Sequence, residues 1–228
     1  MTKHVCVINW KGGCGKTTIA THLAVALASS GLETGLADYD RQETAKLWGK
    51  LRPKDAVAVS LINWRKDFGR SPDSLQRLIV DCPPSLRTKR VRAIIAESNI
   101  AVVPILPSIF DEMATLAFLK RLEAIKSVRK HKKRVLLVAN RYRTDRSASR
   151  RLEEFLVSEG LVLTARIPER EVYSDLARDG LTVFDRHNKA ALEQQQAWLP
   201  LVRAIEMSWH NLTSPADQTW KRPSRNVR

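Results

Sequence analysis

Short, almost unbroken apolar runs alternate along the chain with longer stretches of helical period. The runs stand at 4–9 (HVCVIN), 34–38 (TGLAD), 77–81 (RLIVD), 99–105 (NIAVVPI), 134–139 (RVLLVA) and 161–167 (LVLTARI). A strand covered on both faces has no solvated side to alternate with, so such runs predict strands of a parallel sheet. Between the first two, residues 16–30 place Ile19, Leu23 and Leu27 on one helical face, with Gly31 as a stop. Further helices are predicted at 42–51, 87–97, 110–130, 145–159, 170–179 and 189–209, the last bent or restarted at Pro200. The alternation predicts an α/β fold: a mostly parallel, twisted sheet with helices on both faces. With no internal repeat and no linker, 1–210 reads as a single domain. The polar, basic residues 211–228 read as a disordered tail.

Charge adds a partner class to this picture. The 228 residues carry 39 Lys+Arg against 24 Asp+Glu, a net +15. Such a surplus points to a polyanion, either nucleic acid or an anionic membrane surface. No apolar run approaches the roughly 18 residues needed to span a bilayer. Cys6, Cys14 and Cys82 have no metal-ligand spacing and are odd in number, which predicts reduced thiols in a cytoplasm. The chain enters its first strand without a charged-then-apolar leader.

Residues 8–18, INWKGGCGKTT, carry the chemistry. Against the phosphate-loop pattern G-x-x-x-x-G-K-[ST], the first glycine is replaced by Trp10, and a second lysine, Lys11, follows it. Gly12, Gly13 and Gly15 allow the backbone to curl so that N–H groups, that of Cys14 among them, point at phosphate oxygens. The helix that starts near Lys16 adds its positive end. Lys16 is placed to reach the β- and γ-phosphates, Thr17 to complete a Mg²⁺ shell and Thr18 to touch the α-phosphate.

Two acidic positions support this site. One strand ends in Asp81 (LIVDCPP) and another in Asp38-x-Asp40 (ADYDRQ). Carboxylates beside a phosphate loop can organise Mg²⁺ and position an attacking water. Asp38 or Asp40 could equally cap the helix near 42, and both readings stay open at this point.

Together, KGGCGKTT, DYDRQ and VDCPPS resemble the ParA/MinD family of P-loop ATPases, whose deviant Walker A motif is KGGxGK[ST]. The resemblance runs from residue 3 to about residue 207. It implies that Lys11 is the signature lysine, which reaches across a homodimer interface to the partner subunit's ATP. It also implies that Lys16 and Thr17 bind phosphate and Mg²⁺, that Asp40 positions water, and that Asp81, with Asp38, serves the metal. Adenine contacts are implied at Asn140 (VANR) and at the backbone around Pro168 (IPER), and DNA contacts at Arg166, Arg170 and Lys189. One departure stands out: Arg41 occupies the usual proline position of D-x-D-P-Q.

The residues also favour one branch of the family. The stretch TWKRPSRNVR cannot build the apolar face of a membrane-docking helix. Extra cluster cysteines, a C-x-x-C and a tyrosine-rich tail are all lacking. The loop beginning at residue 11 leaves no room for an N-terminal helix-turn-helix module. The resemblance therefore implies a compact ParA-like ATPase, cytoplasmic and nucleoid-associated, whose ATP dimer binds DNA without sequence preference. Basic stretches at 86–92, 128–134 and 141–151 agree with this, though each alone reads as a solvated helix face or turn. A ParB-like adaptor would stimulate slow hydrolysis, and the cargo would be a plasmid, a chromosome or a large assembly such as a carboxysome or chemosensory array. The alternatives are a MinD-like membrane ATPase, a P-loop biosynthetic ligase resembling dethiobiotin synthetase, and a DNA scaffold with negligible turnover.

Overall fold

The computed structural model describes residues 1–65 and 67–210; the expected tail at 211–228 lies outside the described residues. Its elements run β1 (Lys3–Val7), α1 (Lys16–Ser29), β2 (Thr34–Asp38), α2 (Thr44–Leu51), β3 (Ser60–Ile62), β4 (Arg77–Asp81), α3 (Thr88–Glu97) and β5 (Ile100–Ile105). Then follow α4 (Ile109–Glu123), α5 (Lys126–Arg129), β6 (Arg134–Tyr142), α6 (Ser147–Ser158), β7 (Leu163–Pro168) and α7 (Val172–Arg178). A 3₁₀ turn (Val183–Asp185), α8 (Lys189–Gln196) and α9 (Leu199–His210) complete them.

Seven strands form one sheet in the order β3-β2-β4-β1-β5-β6-β7, and every adjacent pair is parallel. The predicted mostly parallel sheet is thus wholly parallel. β1 lies at its centre, between β4 and β5, and the order of the strands reverses there. In such a sheet the crevice beyond the carboxyl end of the switch-point strand is where ligands bind.

Alternate strand residues supply two cores. Val5, Val7, Ile79, Val102 and Val138 join Ile19, Leu23 and Leu27 of α1 and Leu201 and Ile205 of α9 on one face. Cys6, Ile8, Val80, Val103 and Leu137 join Ile94 of α3, Phe118 and Leu122 of α4 and Leu152 of α6 on the other. The period of two explains how unbroken apolar runs serve both helical layers.

Three features correct the sequence reading. The strand β3 was not predicted: it has three residues on a sheet edge, two of them exposed, and so offers no apolar run. The helix expected over 110–130 is two helices, because Ala124 ends α4 and the extended Ile125 opens α5. The expected restart near Pro200 falls two residues earlier, between Ala197 and Trp198. Pro200 sits in the first turn of α9, where its missing N–H costs nothing.

Candidate nucleotide site

The loop between β1 and α1 is built at the switch point. Asn9, fully buried, anchors its start: Nδ2 donates to the Pro104 carbonyl at 2.7 Å and to Thr115 Oγ1 at 3.0 Å, while Oδ1 accepts Lys11 N–H at 3.2 Å. Trp10 fills the place of the missing glycine by packing away from the loop. Its Nε1 donates to the Leu86 carbonyl at 2.9 Å, and the Arg121 guanidinium lies 3.9 Å from its ring centre. What Asn9 and Trp10 do here was not legible in the sequence, since these partners, Lys11 apart, lie 76 to 111 residues away.

Gly13 and Gly15 take left-handed backbone at φ 74° and 88°. Gly15 needs to be glycine twice over, because a Cβ there would sit 2.1 Å from Asn140 Nδ2. Asn140, at the end of β6, donates to the Cys14 carbonyl at 2.9 Å, so the predicted adenine-side residue closes on the loop itself. The Cys14 thiol donates to the Lys11 carbonyl at 3.4 Å, and burial holds its pKa above the usual thiol value.

The two lysines are placed differently. Lys16 is buried, and its ammonium donates to the Lys11 carbonyl at 2.7 Å, spanning the mouth of the loop. The side chain of Lys11 is 37% exposed and its ammonium lies 4.0 Å from Asp111 Oδ2 of α4. One lysine serves its own loop, and the other stands outside it.

The predicted carboxylates converge beside Lys16. Asp38 and Asp81 are register partners at the ends of β2 and β4. Asp38 accepts Asp40 N–H on Oδ1 and Lys46 N–H on Oδ2, both at 2.9 Å, and so anchors the first turn of α2. Neither Asp38 nor Asp40 is the N-cap of α2, which is Glu43; Asp38 holds the first turn from outside the helix, while Asp40 is half-buried and its carboxylate accepts Gln42 N–H at 3.1 Å. Asp81 is buried and accepts the Thr17 hydroxyl on Oδ2 at 2.6 Å. Burial, only partly offset by Thr17 and Lys16, pushes the Asp81 pKa up to about 7.

These residues fit a magnesium ion. Asp81 Oδ1 is buried without a hydrogen-bond partner, beside a hydroxyl of the type that ligates Mg²⁺ in phosphate loops. Among the described residues no cluster of three or more His, Cys, Asp or Glu stands ready to cage a metal.

The remaining predicted residues lie between β7 and the start of α8. Pro168 ends β7. Arg166 is paired with Glu153 of α6, Nη2 to Oε2 at 2.7 Å. Arg170 and Lys189 are exposed, and Arg170 lines a cavity of about 380 Å³ with Arg186, Asn188 and Gln194.

Comparison with known proteins places this loop and sheet. The model of the CobQ/CobB/MinD/ParA nucleotide-binding domain matches residues 5–183. The chain belongs to this family. Within the family it is similar to the maintenance of carboxysome distribution protein A of Halothiobacillus neapolitanus, at 32% identity over 193 residues, covering 79% of this chain and 86% of that protein. Apo McdA of Cyanothece superposes with a TM-score of 0.69 at 18% identity, covering 92% of this chain and 100% of that one. Cobyrinic acid a,c-diamide synthase of Mycobacterium smegmatis, solved with ADP and magnesium, gives 0.67 at 18% identity, with 92% and 96% covered. A positioning protein and a biosynthetic enzyme of the family share the fold almost equally, so the fold alone does not choose between them. Among the described residues no helix is long and apolar enough to cross a membrane.

Proposed function

We propose that this chain is an ATPase that positions a carboxysome-type protein assembly, using an ATP-bound dimer that holds non-specific DNA. The observation that carries this reading is the division of labour between Lys16, turned into its own loop, and Lys11, half-exposed outside it. A second cation outside the loop, paired with Asp111 at 4.0 Å, can leave that pair to meet a phosphate held by a second copy, much as an arginine finger does. Nucleotide state then becomes dimer state. The relative in Halothiobacillus, named for carboxysome distribution, supports this cargo over a plasmid. The net +15 supports DNA as the track.

In this reading Gly12 to Thr18 cradle the phosphates of ATP, with Asn140 and the backbone at Pro168 facing the base. Thr17 and Asp81 hold Mg²⁺, Asp38 keeps α2 in place beside them, and Asp40 orients water. When bound, Mg²⁺ neutralises charge on the β- and γ-phosphates. Turnover is slow until an adaptor protein stimulates it.

The test is binding to a random-sequence duplex at fixed moderate salt, with ATP·Mg²⁺ and with ADP, for wild type, Lys11→Ala and Asp40→Ala. ATP should tighten wild-type binding, Lys11→Ala should lose that gain, and Asp40→Ala should stay bound while hydrolysis stops. Equal binding with both nucleotides would overturn the switch. Turnover of a small carboxylic acid without DNA would favour the ligase chemistry of the synthetase relatives.

A further inference from the structure

The positive charge of this chain is unevenly placed. Residues 87–97 carry Arg87, Lys89, Arg90 and Arg92 against Glu97, and residues 120–134 carry eight cations against Glu123. These 26 residues hold twelve cations and two anions, a surplus of ten out of the chain's fifteen.

The fold joins the two stretches into one surface. α3 and α4 pack on the same face of the sheet. Arg121 Nη1 near the end of α4 donates to Thr88 Oγ1 at the start of α3, at 3.4 Å. Lys133 Nζ, just before β6, donates to the Ala96 carbonyl at the end of α3, at 2.8 Å. The face thus runs from α3 across the end of α4 to α5 and the approach to β6.

Elsewhere Arg52 is neutralised by Asp185, Arg77 by Glu206 and Arg166 by Glu153, while Arg170 and Lys189 are exposed and, among the described residues, have no such pair. Among the described residues, the four cations of 87–92 and Lys126, Arg129, Lys130 and Lys132 are exposed and have no carboxylate within 4.0 Å. The exposed large apolar residues of α4, Ile109, Phe110 and Met113, lie at its other end. A lipid surface calls for an apolar wedge and a protein partner for an apolar anchor, and this face offers neither. Phosphates in a row need only unpaired cations. Arg121, stacked on Trp10, also brings the face against the residue that precedes Lys11 in the nucleotide loop.

We infer that the α3–α4–α5 face is the surface that grips duplex DNA, in place of the stretch from β7 to the start of α8 where Arg166, Arg170 and Lys189 lie. This inference rests on the DNA-binding reading above and adds its address.

The experiment measures binding of the full chain with ATP·Mg²⁺ to a random-sequence duplex over a salt series. It compares wild type, Lys126→Glu/Lys130→Glu/Lys132→Glu, the same triple to Gln, and Arg170→Glu/Lys189→Glu. ADP·Mg²⁺ affinity and thermal midpoint report on folding. The Glu triple should lose at least tenfold in affinity, and both triples should flatten the log–log salt slope by about 0.9 for each phosphate contact removed. The Arg170/Lys189 variant should stay within a factor of two or so of wild type. Triples that bind like wild type, while the Arg170/Lys189 variant fails, would overturn the address and leave the DNA reading standing. A wild type that ignores DNA in every nucleotide state, or pellets only with anionic vesicles, would overturn both.

Discussion

Thr17 and Asp81 meet across the sheet's switch point: the hydroxyl donates to Oδ2 at 2.6 Å and leaves the buried Oδ1 without a partner. A carboxylate in this state is costly in the absence of a cation, and its pKa near 7 reflects that cost. Asp81→Asn keeps the shape and removes the charge. It should abolish most of the affinity that ADP gains from Mg²⁺, by tenfold or so, yet leave metal-free ADP binding within about threefold, since the expected difference is one charge-assisted contact. The thermal midpoint of the nucleotide-free protein should rise. Calorimetric titration with Mg²⁺ and with EDTA checks this; an undiminished Mg²⁺ gain would remove Asp81 from the metal site.

Gly15 should tolerate no side chain. Its φ of 88° strains any L-residue, and a Cβ would strike Asn140 Nδ2 at 2.1 Å. Gly15→Ala should weaken ATP binding more than tenfold, an effect on the order of 1.4 kcal/mol or more. Adding Asn140→Gly removes the collision but not the backbone strain, so, measured against Asn140→Gly alone, part of the loss should be recovered. Full recovery would mean that strain at position 15 is negligible. No recovery would mean that Asn140 is not the obstacle.

The sequence showed much of this site because its residues are neighbours in the chain or end apolar runs. The loop 12–18, Asp38 and Asp81 follow directly from strand ends, and the structure brings them together. What could not be read is non-local. Asn9 is tied to Thr115 and Trp10 to Arg121, and no short-range pattern links either pair. The three residues of β3 lie on an edge that half faces water, where the hydrophobic signal fades. Single basic stretches read as solvated faces until the fold set α3 beside α4 and α5.

Arg52 and Asp185 form the most enclosed ion pair among the described residues, with side chains 7% and 4% exposed. Arg52 leaves the end of α2 and also donates to the Gly180 carbonyl at 3.0 Å, while Asp185 accepts Thr182 N–H at 2.8 Å. Asp185→Ala strands a buried guanidinium and should cost about 3–5 kcal/mol in urea unfolding. Arg52→Met/Asp185→Leu leaves no charge behind and should cost clearly less than the two single changes together. Additive costs would show that the two charges do not support each other.

His22 gives the fold an acid limit. It stacks on Trp198 at 4.4 Å between ring centres, meets Tyr173 edge-on at 5.3 Å, and donates from Nδ1 to the Thr18 carbonyl at 2.8 Å, a group that can only accept. Burial lowers its pKa from 6.5 to about 4. Below pH 6.5 the unfolded chain therefore takes up a proton that the folded chain refuses, so stability falls as pH drops and levels off below the folded value. The loss should reach about 3 kcal/mol by pH 4, and above pH 6.5 this residue should contribute no slope. His22→Phe removes the titration at the price of the Thr18 bond, so the variant should be less stable at pH 7 and lose less on acidification. Urea midpoints at pH 7, 6, 5 and 4 decide it: parallel curves for the two proteins would show that His22 is not the group that sets the acid limit.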